Sequence, residues 1–124
     1  MATGPSLTQK DCEKVQKSGL KTIAINDAYL LAPWADILYA CDGTWWDIHY
    51  NAVKASVKSS LWTQDVGARD RHKLKWVESI DSPGLGEDKV HQGQNSGYQA
   101  INLAYMQGAK RIYLLGYDMG LTRS

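Results

Sequence analysis

Apolar positions in this chain switch between two spacings, and the switches divide it into alternating helices and strands. Residues 8–18 carry scattered apolar positions on a polar background, the mark of a surface helix. Thr8 is placed to cap it, with Asp11 three residues on as the acidic half of a capping box. Leu7 can staple onto Cys12, and Gly19 is a natural stop. Residues 22–25 (TIAI) form a short apolar run, predicted as a buried strand that ends at Asn26 and Asp27. One helical turn is expected over 28–31, before Pro33 interrupts it. Residues 36–41 (DILYAC) predict the next strand, which also ends in an acid, Asp42.

A second helix is expected to start at Thr44, with Asp47 at its third position and Trp45, Ile48, Ala52 and Val53 near one face. Residues 60–63 (SLWT) predict a strand, 65–72 a polar helix, and 74–78 (LKWVE) an alternating strand near a sheet edge. Residues 79–97 are rich in glycine and read as a loop with room for one short strand. Ser96, Gly97, Tyr98 and Gln99 have the S-x-x-Q form of a capping box. Ile101, Ala104, Tyr105 and Gly108 then share a helical face, with Gly108 as the stop. Residues 111–116 (RIYLLG) predict a buried strand running into Tyr117 and Asp118.

Strand–helix alternation with nearly continuous apolar strands predicts an α/β layered fold with a mostly parallel sheet. At 124 residues the chain holds one domain, 1–124, with enough length for a core. Hydrophobic residues at 44% and charged residues at 22% exclude a disordered tail. A net charge of +1 offers no footprint for nucleic acid or an anionic membrane. No apolar run reaches the roughly 20 residues of a membrane helix, and the first residues lack a signal peptide's pattern. With only Cys12 and Cys41, a cytoplasmic location is expected. Five Trp and seven Tyr stand against no Phe, so many aromatic rings need a polar partner. That suits core and sheet packing, or the lining of a cleft.

In parallel sheets ligands bind beyond the carboxyl ends of the strands. Four places there carry candidate chemistry. Gly4, Pro5, Ser6 and Leu7 precede a capped helix, where free N–H groups and a hydroxyl can hold phosphate; the same pattern also reads as plain capping. Asn95, Ser96 and Gly97 make a second such helix start. Asn26, Asp27, Asp42 and Asp118 sit at strand ends, where carboxylates can take Mg²⁺, ribose hydroxyls or a proton, or simply cap turns. His91 is the candidate acid/base among three histidines, since His49 and His72 fall in polar helical stretches. No HExxH, CxxC, GxSxG or Walker pattern is present. Lys110, Arg111 and the series Lys10, Lys14 and Lys17 read as solvated faces.

GPSL leading into a helix, IAIND, DILYACD and NSGYQAINLAYMQGAKRIYLLGYDM together resemble a known group. It comprises Rossmann-like proteins, many of them encoded by bacteriophages, related to the archaeal hydroxymethylpterin diphosphokinase-like family. Bacterial sialyltransferases that open with an N-G-P-S-L loop look like more distant relatives. The resemblance implies a single three-layer Rossmann-like domain whose first strand and C-terminal part are shortened. It implies a nucleotide or nucleotide-sugar site formed by Gly4, Pro5, Ser6, Leu7, Asn26, Asn95, Ser96 and Gly97, to which the strand-end position of Asp27 adds a further candidate. It further implies Mg²⁺ at Asp42 and Asp118 and a transferase activity, for which the residues themselves offer His91 and Asp118 as catalytic candidates. Only three residues precede the GPSL loop, and six follow Asp118, where the relatives continue into a lid carrying the catalytic His. A binding crevice with incomplete transfer machinery is therefore expected. The alternative is a non-catalytic phage protein of the host cytoplasm that binds a nucleotide or acts as an interaction module, self-associating through an open sheet edge.

Overall fold

The computed structural model describes residues 1–80, 85–87, 89–91 and 96–117, with only the backbone of His91. In chain order the elements are α1 (Gln9–Ser18), β1 (Ile23–Ile25), a 3-10 turn (Asn26–Leu30), β2 (Ile37–Tyr39), α2 (Gly43–Ser56), β3 (Ser60–Thr63), α3 (Val66–His72) and β4 (Lys75–Trp76). β5 (Ser79–Ile80), β6 (Val90–His91) and α4 (Ser96–Met106) follow.

The helix ends follow local chemistry. Thr8 Oγ1 accepts the Asp11 N–H at 3.1 Å, and Gly19 closes α1 in the left-handed region at φ 74°. Asp65 caps α3 by accepting the Ala68 N–H at 2.8 Å. The start expected at Thr44 is corrected: Asp42 is the cap of α2, its carboxylate accepting the Thr44 N–H at 2.9 Å.

β1, β2, β3 and β4 lie side by side in that order, all parallel. β5 and β6 form a separate parallel pair. Met1 and Ala2 run alongside β1 without forming a regular strand. The Met1 ammonium donates to Ile23 O at 2.7 Å, and Ile25 N–H donates to Met1 O at 2.9 Å. On the other side, Ala2 and Gly4 donate to Leu115 O and Gly116 O at 2.9 and 2.6 Å. This is a small Rossmann-like α/β domain, as the alternation predicts.

Strand alternation divides the core. Ala24 and Leu38 face the side where Cys12 of α1, Tyr29 of the 3-10 turn, Trp46 and Val53 of α2, and Ala68 of α3 pack together. Ile25 and Tyr39 face the opposite side, with Ala100 and Leu103 of α4. Among the described residues, α4 is the one helix on that second face.

Three expectations on packing are corrected. α2 buries Trp46 and Val53 completely, with Tyr50 and Val57 partly buried along the same stripe, while Ile48 is 71% exposed. The face is set by Trp46, whose indole N–H reaches Ala40 O at 3.0 Å. α4 buries Gln99, Ala100, Asn102 and Leu103 rather than the Tyr105 face. Asn102 tolerates this because its amide pairs with both Gly86 N–H (2.9 Å) and Gly86 O (3.0 Å). Residues 111–116 do not form a buried strand: Ile112, Tyr113 and Leu114 are exposed. Their neighbour in the sheet, the Met1–Gly4 stretch, reaches only Leu115 and Gly116.

Gly116 has a left-handed backbone at φ 76°, and a Cβ there would sit 2.2 Å from Ala2 O. Gly19 shares the conformation, φ 74°, but faces open space. Gly19→Ala should therefore cost about 1 kcal/mol, the strain alone. Gly116→Ala should cost about 3 kcal/mol, since Ala2 must also be displaced. Urea unfolding of both variants checks the ranking.

Candidate functional site

The carboxyl ends of β1 and β2, the loop before α1 and the start of α4 meet at one edge of the sheet. Leu7 N–H bonds Gly4 O at 3.1 Å, folding the Gly4–Leu7 loop into a turn just before Thr8 caps α1. Gly4 is buried, Pro5 and Ser6 are exposed, and Leu7 packs against the core. Gly4 N–H in turn holds Gly116 O. One residue on, Tyr117 OH donates to Gly97 O at 3.0 Å. Ser96 Oγ accepts the Cys41 N–H at 3.0 Å and donates toward Cys41 Sγ at 3.1 Å. These bonds link three of the expected turns in sequence: Gly4, then Ser96 and Gly97, then Cys41 and Asp42. Asn26 follows β1, the strand between Met1–Ala2 and β2, so it enters the same row. It adopts a left-handed backbone at φ 52°, which Asn tolerates better than most residues.

The floor beneath these loops is polar and mutually satisfied. Tyr39 OH donates to Gln99 Oε1 at 2.5 Å, and Gln64 Nε2 donates to Cys41 O at 2.8 Å. Ser79 Oγ donates to Gln64 Oε1 at 2.6 Å. Burial pushes the Tyr39 hydroxyl well above its ordinary range and that of Tyr117 up to about 12, so both remain neutral donors. Sequence reasoning passed over Tyr39 and Gln64, used Cys41 only as a sign of compartment, and read Gln99 as half of a capping box, whereas it reaches Tyr39. Tyr39 and Gln99 are 60 positions apart, and no local pattern pairs them.

The acidic candidates diverge. Asp42 stands at this edge as the cap of α2. Asp27 is turned toward α2, where Oδ1 accepts the Trp45 indole N–H at 2.9 Å and lies 3.7 Å from His49 Nε2. Trp45 and His49 stack with ring centroids 4.4 Å apart, and Tyr29 meets both edge-on. The i, i+4 spacing of Trp45 and His49 was the available signal for that cluster. The backbone of His91 lies in β6 opposite Ile80. Asn95 and Asp118 fall outside the described residues. Among the described residues, no three His, Cys, Asp or Glu side chains are grouped to hold a metal ion. No helix among them is long and apolar enough to cross a membrane.

A groove of about 680 Å³ lies elsewhere, on the α4 side of the sheet and extending to the amino ends of the strands. Compared with protein-family models, curated proteins and solved structures, the chain matches none of them.

Behind the site, α2 and α3 are joined through Asp47. It accepts from Arg71 Nε and Nη2 at 3.0 and 3.1 Å and lies 2.8 Å from His72 Nε2. The hydrogen bonds from His72 and then Arg71 hold its carboxyl below the ordinary value. A depressed folded-state pKa contributes stability above the unfolded value, 3.8, and loses it as pH falls through the lower folded value. Wild type should therefore be more stable than Asp47→Asn at neutral pH, with the gap closing below about pH 4. Thermal melts of both proteins across that range test the sign.

Proposed function

We propose that this protein binds a nucleotide or a nucleotide sugar at the carboxyl edge of its sheet. One observation carries the reading: two helix starts and a left-handed Asn turn, distant in sequence, are tied to a single edge through Gly116, Tyr117 and Cys41. Helix starts present N–H groups and a positive dipole end, which suit phosphate. In this reading the Gly4–Leu7 turn, whose Gly4 and Leu7 N–H groups are already bonded, brings the exposed Ser6 and the start of α1 to one phosphate. Asn95, Ser96 and Gly97 hold a second phosphate or the sugar. Asn26 takes the base or ribose, while Asp27, turned toward Trp45 and His49, takes no part. Mg²⁺ commonly binds through one or two carboxylates plus substrate phosphates, so the lack of a three-residue cluster does not conflict with Asp42 and Asp118 as its ligands. The metal would supply charge neutralisation on the phosphates. The resemblance to phage-encoded Rossmann-like proteins extends the proposal to glycosyl or pyrophosphoryl transfer, with His91 and Asp118 as acid/base candidates. Two free cysteines fit a reducing cytoplasm.

A second reading is a module that binds without turnover and works through a partner. The exposed apolar stretch Ile112, Tyr113 and Leu114 favours it.

A thermal-shift panel of nucleoside phosphates and sugar nucleotides, with and without Mg²⁺, tests binding. A true ligand at 100 times its Kd adds about 2.7 kcal/mol and raises Tm by several degrees. Ser6→Tyr should block the entrance at an exposed position. Asn26→Gly should keep the left-handed backbone and remove only the amide. A shift abolished by either variant supports the site, and a panel with no shift overturns the nucleotide reading. Consumption of a sugar nucleotide or ATP with an acceptor would decide for transfer over the second reading.

A further inference from the structure

The groove on the α4 side has the size and chemistry of a second binding site. Its volume, about 680 Å³, lies within the range of cavities that hold small organic molecules. Ile23, Ile37 and Trp62 of the sheet line it, together with Ile101 and Ala104 of α4 and Leu114 from the segment after that helix. All six are left half-buried or exposed, so the apolar surface is accessible.

Three cations stand in the same lining: Lys21, Lys75 and Arg111. Among the described residues, none has a carboxylate within 4.0 Å, although five other ion pairs form. Lys75 Nζ lies 5.8 Å from the centre of the Trp62 ring, which sets a positive charge directly beside an aromatic wall. The opposing acid is Asp36, and its Oδ2 already accepts the Thr22 N–H at 2.8 Å. An apolar trough with a net positive lining is matched by a ligand that is apolar along its length and anionic at one end.

We propose that this groove binds a small amphipathic carboxylate, such as a medium-chain acyl or aryl carboxylate, independently of the nucleotide edge. The apolar body lies over Ile37 and Trp62 against α4, and the carboxylate meets Lys75 beside the Trp62 ring. The charge complementarity favours this occupant over an uncharged one, and the enclosing α4 and returning segment favour a small molecule over a flat protein surface.

Isothermal titration of the whole chain with decanoate, decanol and decylamine, each kept monomeric, tests this. Decanoate should bind with 1:1 stoichiometry and at least about fivefold tighter than either other probe. Ala104→Trp should fill the trough and weaken decanoate about tenfold or more. Lys75→Glu with Arg111→Glu should weaken decanoate and remove its advantage over decylamine, and because both residues are exposed the fold should persist by circular dichroism. Equal binding of the three probes, or decanoate binding that none of these variants changes, overturns the proposal. So does concentration-dependent self-association that Ala104→Trp abolishes, which would assign the groove to a second copy of the chain.

Discussion

The attachment of α4 to β2 is the contact on which both candidate surfaces depend. Tyr39 and Gln99 join the two elements in the interior, and Ser96 and Cys41 join them at the edge. All four groups are at least half-buried, so each bond replaces water that has been excluded. Among the described residues, α4 is the helix that covers the second face of the sheet. Its displacement would expose Ile25 and Tyr39 and would separate Ser96 and Gly97 from the strand ends. Hydrophobic contact alone would let a short helix slide on a flat sheet. The paired hydrogen bonds give it one position.

The two faces are filled unequally, and this produces the surfaces available for binding. α1, the 3-10 turn, α2 and α3 close one face around Trp46, Leu38 and Val53. Parallel sheets normally have both faces covered. Here the second face is closed near Ile25 and Tyr39 but leaves Ile23, Ile37 and Trp62 only half-buried beside the groove. The carboxyl edge is polar and densely hydrogen-bonded, whereas the groove is apolar and carries Lys21, Lys75 and Arg111 in its lining. The two proposed sites are therefore separate and chemically different.

Much of the element order was legible because short-range chemistry sets it. Thr8, Gly19 and Asp65 act on residues within three or four positions, so the limits of α1 and α3 could be read directly. The strands at 23–25, 37–39 and 60–63 follow from their apolar runs. Errors came where a polar residue took a buried slot or an apolar one was left outside. Asn102 is buried because Gly86 meets its amide, and Ile48 is exposed because Trp46 turns α2 by its bond to Ala40. Of the site, Gly4, Asn26 and Ser96 were identifiable as helix starts and strand ends, but Cys41, Gln64 and Tyr117 were not.

The sequence by itself determined that this is an alternating α/β chain, where most helices begin, and which loops follow strands. Those features arise from periodicity and from caps a few residues apart. Only the tertiary structure decided which face of each helix is buried, that residues 111–116 form no strand, and that Asp27 turns away toward Trp45 and His49. These outcomes depend on partners outside the residue's own element, 6 positions away for Trp46 and Ala40, 16 for Asn102 and Gly86 and 18 for Asp27 and Trp45. Their bonds form only after the sheet has brought them together, so no local pattern encodes them.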